Sequence, residues 1–395
     1  MTEDYARLKA GSFHIQAQER VVFGEPAGKA VLAEAKRYGA KRVFVTSTRS
    51  LARLDGGPLK QLVAALGPLH AGTYTEISAH SPREDVVAGA RAARAARADL
   101  LVALGGGSVI DATKAMQLCL WLGLETPAAM EPYRAGMARE PVSVPLPADP
   151  IRMIAVSTTL SASDFTSAAG VTDSVTKSKQ TFVHRLLAPR SVVLDPGATL
   201  HTPLWLLFAT GIRSVDHAVE SFCSPQAHPG TEALSLQGLR LLSRSLPAIK
   251  ADPADLQARL DAQMGMWQAI APGASGVPTG ASHGIGYVLG GTFGVPHGHT
   301  SCVMLPAVLA WNAAVNAERQ TALSEAMGSP QRPASELIKE LVSLLEQPTS
   351  LRAVGIKREN LPEIAKRALG YAPVLKNPRP IKTSADVMQI LELAW

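Results

Sequence analysis

Arg213 and His217 stand four residues apart, and His283, Tyr287 and His297 follow farther along, so one part of the chain gathers three imidazoles, a phenol and a guanidinium. A spacing of four puts Arg213 and His217 on one helix face, aimed at a common point. Imidazoles exchange protons near neutral pH or ligate metals, and a phenol can donate a proton. A guanidinium cannot ligate a divalent cation; its charge repels one, and its planar fork suits carboxylates. Each histidine taken singly reads equally well as a hydrogen-bonded structural residue. Spacing joins only Arg213 with His217; the other three stand as single candidates.

A second candidate lies in the first half. Leu101-Val102-Ala103-Leu104 is an apolar run that enters Gly105-Gly106-Gly107 and then Ser108, where a helix is expected to start. Glycines let the backbone approach an anion closely, and the free N–H groups and dipole of a helix start hold it there. A glycine-rich turn is also what tight strand-to-helix packing uses, so the motif alone is a weak sign of nucleotide binding.

The elements that must position these residues alternate through the first half. Strands are expected at Val21–Gly24, Arg42–Thr46, Asp99–Leu104, Met153–Val156 and from Ser191. Helices are expected over Pro26–Tyr38 and from a Ser81 cap, with Pro82 at the first position, to about Ala98. Such alternation predicts a parallel sheet covered by helices on both faces. After Leu200 the strand patterns fade into long apolar-periodic helices, the first capped by Thr202-Pro203. The predicted organisation is a Rossmann-like α/β domain over residues 1–197 and an all-helical catalytic domain over 198–395. Residues 128–149 read as a long surface loop.

Composition narrows the class. The 395 residues include three cysteines, Cys119, Cys223 and Cys302, with no short pairing that would suggest a disulfide framework or zinc ribbon. The opening Met1-Thr2-Glu3-Asp4 has no basic-then-apolar leader, and Gly, Pro or charge interrupts the apolar runs, so a cytoplasmic protein without a membrane span is expected. The net charge of +6 invites a nucleic-acid reading. Against it, Arg91, Arg94 and Arg97 lie along one side of a helix, and aromatics are too few to form a stacking platform. A basic surface suits an anionic cofactor and an acidic substrate.

Gly105 to Lys114, read as Gly-Gly-Gly-Ser-x-x-Asp-x-x-Lys, resembles the signature of the iron-containing alcohol dehydrogenase and glycerol dehydrogenase superfamily. The resemblance implies NAD or NADP, with Gly105, Gly106, Gly107 and Ser108 on the pyrophosphate and Asp111 and Lys114 beside the active cleft. Thr158 and Thr159 resemble the segment that wraps the cofactor, and Lys179 the lysine near the nicotinamide ribose. Ser47-Thr48-Arg49 stands where an acidic residue usually holds the adenosine ribose. Ser47 then tolerates a 2′-phosphate that Arg49 can pair with, or the stretch is an ordinary polar turn. The superfamily metal site uses one Asp and three His; His217, His283 and His297 match the histidines, but Arg213 occupies the Asp position. Unless Asp216 substitutes, the site holds no metal.

A metal-free site is what the maleylacetate reductase branch implies. His80-Ser81-Pro82, the stretch from Leu289 to His297, and Asn377-Pro378-Arg379-Pro380-Ile381 resemble that branch, whereas Tyr287 replaces a histidine and Asp111 follows the alcohol dehydrogenase form. The expected activity is NAD(P)H-dependent reduction of a small carboxylated enoate or keto acid by a homodimer. His297 or Tyr287 supplies the proton, Arg213 lowers the phenol's pKa, and Arg213, His217, His283 and Arg379 hold the anion. The alternatives are an Fe- or Zn-dependent alcohol dehydrogenase working through Asp216, a non-redox lyase of the same fold, and a binding protein without catalysis.

Overall fold

A computed structural model describes residues 11–136 and 144–395. The Met1–Asp4 opening and the middle of the expected surface loop lie outside them; of that loop, Pro127–Tyr133 forms 3₁₀ turns that bury Met130.

The β-branched run Val43–Thr46 is buried along its whole length, as a central parallel strand must be. It is β2 of a six-stranded parallel sheet comprising β1 (Arg20–Phe23), β2, β3 (His70–Tyr74), β4 (Leu100–Gly105), β5 (Arg152–Ser157) and β8 (Ser191–Leu194), in the order β1-β8-β5-β4-β2-β3. Side chains alternate across β4. Leu101 and Ala103 join one core with α3 (Arg83–Ala95) and α4 (Gly107–Leu122), while Leu100, Val102 and Leu104 join another with α1 (Ala27–Arg37) and α2 (Pro58–Leu66). Between β5 and β8, strands β6 (Ala168–Asp173) and β7 (Ser178–Val183) form an antiparallel hairpin against α4.

From Leu204 the described elements are all helical. The three helices α5 (Leu204–Cys223), α6 (Pro229–Ala251) and α7 (Leu256–Ala274) share a core with Leu160, Phe165 and Val192 from the sheet side. α8 (Ala281–Phe293) and α9 (His297–Ala326) pack with α11 (Leu361–Ala368) and α12 (Ser384–Leu393) in a further core, and α10 (Ala334–Leu344) lies against α9. Among the described residues α9 alone is long and apolar enough to cross a membrane. Its most apolar window is 67% buried inside the fold, which marks a core helix.

Two expected helix caps serve the site instead. Pro82, not Ser81, precedes α3, and the Ser81 hydroxyl donates to the Ser108 carbonyl at 2.7 Å. Pro203 precedes α5, and Thr202 Oγ1 donates to the Thr158 carbonyl at 2.6 Å. α5 is drawn to the same segment again. Thr210 Oγ1 accepts from Leu160 N (3.1 Å), and Ser214 Oγ donates to the Leu160 carbonyl (2.7 Å).

The start of α9 lies directly on the α5 backbone. A Cβ on Gly298 would fall 2.6 Å from both the carbonyl carbon and oxygen of Ala209, one turn before Arg213. Gly298→Ala must therefore push α9 off α5. It is expected to lower stability by about 1–3 kcal/mol through overpacking and to displace His297. A fall in Tm together with lost turnover checks this; wild-type values for both would contradict it.

Candidate active site

The glycine turn and the segment after β5 close on each other. Thr158 N donates to the Gly105 carbonyl (3.0 Å), a Cβ on Gly106 would meet Thr159 Cγ2 at 2.8 Å, and one on Gly107 would meet Ser161 Oγ at 3.0 Å. Only glycines permit this approach. The result is a cradle at the carboxyl ends of β4 and β5, open to the start of α4, where Val109 and Ile110 donate to the Gly106 carbonyl (3.0 and 3.2 Å) and the Gly107 and Ser108 amides have no acceptor among the described residues. Ser108 anchors its rim. Its Oγ accepts from His80 N (3.0 Å), and His80 and Ser81 are successive non-glycine residues with φ of 66° and 54°. Thr172 braces them through N to the Ser81 carbonyl (3.0 Å) and Oγ1 to the His80 carbonyl (2.8 Å). Local strain held by surrounding bonds is typical of ligand clamps.

Three residues expected at the cofactor are committed to the protein. Ser47 is fully buried, and its hydroxyl donates to the Leu104 carbonyl at 2.8 Å, so it cannot face a ribose. Asp111 accepts from Ser163 Oγ and from Gly170 N (3.1 Å), tying α4 to the following turn and to β6. Lys114 lies beneath the cleft with no exposure; its Nζ donates to the carbonyls of Ser163 (2.6 Å) and Ala168 (2.9 Å) and to Thr166 Oγ1 (3.0 Å). Arg49 pairs with Glu76, a residue that no local sequence pattern marks.

The helical wall is built around buried charge. Arg213 Nη1 donates to Ser301 Oγ (3.0 Å), and Ser301 Oγ donates to Asp216 Oδ2 (2.6 Å), which also accepts from Ser282 Oγ (2.9 Å). The guanidinium lies 3.6 Å from the same oxygen. Glu220, two helical turns past Arg213 on α5, caps α8. Its carboxylate accepts from Gly280 N (2.8 Å), Ser282 N (2.7 Å) and His283 N (3.3 Å), and from His283 Nδ1 (2.7 Å). An anion at a helix N-terminus satisfies orphan amides and the dipole together.

This wiring sets the imidazoles apart. Burial and Arg213 oppose a charge on His283, but Asp216 and Glu220 outweigh them and raise its pKa. Burial, then His283 and Arg213, hold His217 well below the usual histidine range. For His297 the first cause is Arg213, followed by burial, Lys179 and the other two histidines, and its pKa is likewise well lowered. Because His297 opens onto the cleft, where solvent reaches the ring, the neighbouring cations are the cause that stands. Lys179 also disfavours charge on His80, so its ammonium acts on both the strained turn and the start of α9.

Tyr287 stacks on His297 (ring centroids 6.3 Å apart, planes at 3°) and approaches Tyr371 at 5.7 Å. Its ring neighbours are these and His283, and no hydrogen bond joins Tyr287 to Arg213 among the described residues. Arg379, expected at the substrate, instead lies over Trp311 (4.0 Å to the ring centroid) and donates to the Trp311 carbonyl (2.9 Å). Several donors remain. Among the described residues nothing accepts from Arg213 Nε or Nη2, from the Lys179 ammonium or from His283 Nε2, and His217 Nδ1 is also without a partner.

A divalent metal does not fit this set. Ligand atoms of Asp216, Glu220 and His283 lie within 4.8 Å of one another, yet Glu220 is spent on the α8 cap and Asp216 Oδ2 on two hydroxyls beside a guanidinium. The charge of Arg213 acts on His217, His283 and His297 alike and would oppose a cation held by them.

A parallel sheet with a glycine cradle at its carboxyl edge, facing a helical wall of proton-handling residues, defines an α/β oxidoreductase of the dehydrogenase type. The chain belongs to the iron-containing alcohol dehydrogenase family: residues 18–196 match its model, "Iron-containing alcohol dehydrogenase", and residues 207–395 match "Fe-containing alcohol dehydrogenase family, C-terminal". It is 33% identical over 376 residues to a maleylacetate reductase of Sphingobium indicum, covering 95% of each chain, and 32% identical over 413 residues to the dehydrogenase FUM7 of Gibberella moniliformis, again 95% of each. The crystal structure of maleylacetate reductase from Agrobacterium tumefaciens superposes with a TM-score of 0.82 at 26% identity, covering 98% of this chain and 99% of that one.

Below the cleft, Asp164 is fully buried beside Lys114 and neither carboxylate oxygen has a well-formed hydrogen bond. Burial, partly offset by Lys114, pushes its pKa up to about 6 from an ordinary 3.8. The folded state therefore binds this proton more tightly than the unfolded chain. The stability it contributes is complete below the unfolded value and is lost as pH rises through about 6. Asp164→Asn should raise Tm relative to wild type at pH 8 but not at pH 4, with a difference on the order of 2–3 kcal/mol. An equal offset at both pH values would contradict it.

Proposed function

We propose that the protein is a nicotinamide-dependent reductase of a small carboxylated enoate or keto acid, maleylacetate-like in chemistry, and that it works without a metal. The observation that carries this reading is the set of donors without a protein acceptor among the described residues, Arg213 Nε and Nη2, Lys179 Nζ and the buried His283 Nε2, with Arg213 and Lys179 both acting on His297. Such a set calls for an anionic ligand, and Arg213 and Lys179 together suit one that carries two negative charges. That several relatives are maleylacetate reductases agrees with it.

NAD(P)H, held at the Gly105–Ser108 cradle with Thr158 and Thr159 closing over it, supplies the hydride. Arg213 and Lys179 hold the carboxylates and orient the acceptor carbon toward the cradle. His283, whose protonated form Asp216 and Glu220 favour, would offer Nε2–H to oxygen that gains negative charge during reduction. Tyr287 donates the final proton. Neighbouring cations disfavour charge on His297; a bound dianion offsets Arg213 and Lys179 and lets the imidazole take up a proton and relay it to the phenol whose ring it faces.

A second reading is a metal-dependent alcohol dehydrogenase using Asp216, Glu220 and His283, favoured by the closeness of their ligand atoms. Substrate choice separates the two. NAD(P)H absorbance should show kcat/KM for maleylacetate at least about a hundredfold above that for an uncharged ketone or aldehyde of similar size, the worth of one or two charge-assisted contacts. Preference for the uncharged substrate would sink the reading. Tyr287→Phe should leave cofactor binding intact and lower turnover by about 10²–10⁴. Near-normal turnover in Tyr287→Phe, with His297→Ala inactive, would instead assign the proton to His297.

A further inference from the structure

The strand order reverses between β4 and β2: the chain leaves β2 toward β3 and leaves β4 toward β5 and β8. Ligands of open parallel sheets bind in the crevice at the carboxyl ends of the strands flanking such a reversal. On the β4 side that crevice is the Gly105–Ser108 cradle. On the β2 side the Ser47 amide donates to the Tyr74 carbonyl (2.9 Å), and Thr48 forms an isolated antiparallel bridge with Glu76. The loops after β2 and β3 are thereby zipped into one lip. On it the guanidinium of Arg49 and the carboxylate of Glu76 form an ion pair, with 68% and 44% of their side chains exposed. With Ser47 turned inward, β2 offers no acid to the crevice, and the neighbouring strand's loop does. Nearby, Arg53 acts on Glu76, and Asp85, which accepts from Ser78 N (2.8 Å), acts on Arg49.

We propose that Arg49 and Glu76 act together as the group that reads the 2′ position of the cofactor's adenosine ribose. Glu76 accepts from the ribose hydroxyls of NAD(H), and Arg49 takes the 2′-phosphate of NADP(H). In the free enzyme each side chain neutralises the other, so neither dinucleotide is excluded. An exposed ion pair contributes little stability, and opening it for either cofactor is cheap. The expected tolerance of NADPH is thus kept for a different reason: a guanidinium offsets a carboxylate that is present, where the sequence suggested that no carboxylate stood there. This inference rests on the reading of the cradle as a nicotinamide dinucleotide site.

The test is fluorescence titration of NADH and NADPH into the full-length wild type, Glu76→Gln and Arg49→Gln, with thermal unfolding to verify that both variants fold. The wild-type Kd values should lie within about tenfold of each other. Glu76→Gln should move their ratio toward NADPH by about tenfold or more, and Arg49→Gln should move it toward NADH by a similar factor, as expected for one charge-assisted contact. If folded variants bind both cofactors with the wild-type ratio, the ion pair is only a surface contact and the proposal is overturned; a shift confined to one variant overturns its two-sided form. Failure of wild type to bind either dinucleotide would strike at the cofactor reading itself.

Discussion

A guanidinium buried among three imidazoles has to be neutralised, and the means of neutralising Arg213 arrange most of the catalytic wall. Removing such a charge from water costs several kcal/mol unless it is paired and hydrogen-bonded. Asp216 meets it from one turn along α5, and Ser301 of α9 sits between them as acceptor from one and donor to the other. Asp216 also engages Ser282, at the start of α8, and so carries the arrangement to the helix bearing His283 and Tyr287. Glu220 completes it by capping α8 and fixing the His283 ring through Nδ1. Three helices are thus held by one charge network, and three chemically identical imidazoles emerge with different proton affinities.

The cradle and the wall stay in register because one short segment serves both. Thr158 joins the glycine turn through its amide and receives Thr202 through its carbonyl, while Leu160 is hydrogen-bonded at both its amide and its carbonyl to α5. Asp111 and Lys114 add a floor by fixing the Ser163–Ala168 turn.

The sequence disclosed what local chemistry determines. The apolar runs of β2, β4 and β5 marked central parallel strands, and the glycine turn marked a helix start. It did not disclose β3, whose His-Ala-Gly-Thr-Tyr run has one buried neighbour strand and little β-branched character, nor the β6–β7 hairpin, which lies off the main sheet. The resemblance to the superfamily's motif, rather than local chemistry, singled out Arg213, His217, His283, Tyr287 and His297 as one site. Roles set by long-range contacts went the other way: Ser47 points into the sheet, Arg379 stacks on Trp311, and Arg213 serves Asp216 rather than the phenol. Glu220 and Glu76 carried no local signal, because a cap and an ion pair between separate elements exist only once the chain has folded.

On the proposed reading, Arg213 stands where a metal would otherwise act at the reacting centre. The most direct measurement is turnover with NADH and maleylacetate on protein dialysed against a strong chelator, with elemental analysis of the same sample. The account predicts undiminished turnover in protein that contains no stoichiometric Fe or Zn. Retention of about one metal ion per chain, with activity lost on its removal and restored by Fe²⁺ or Zn²⁺, would contradict it.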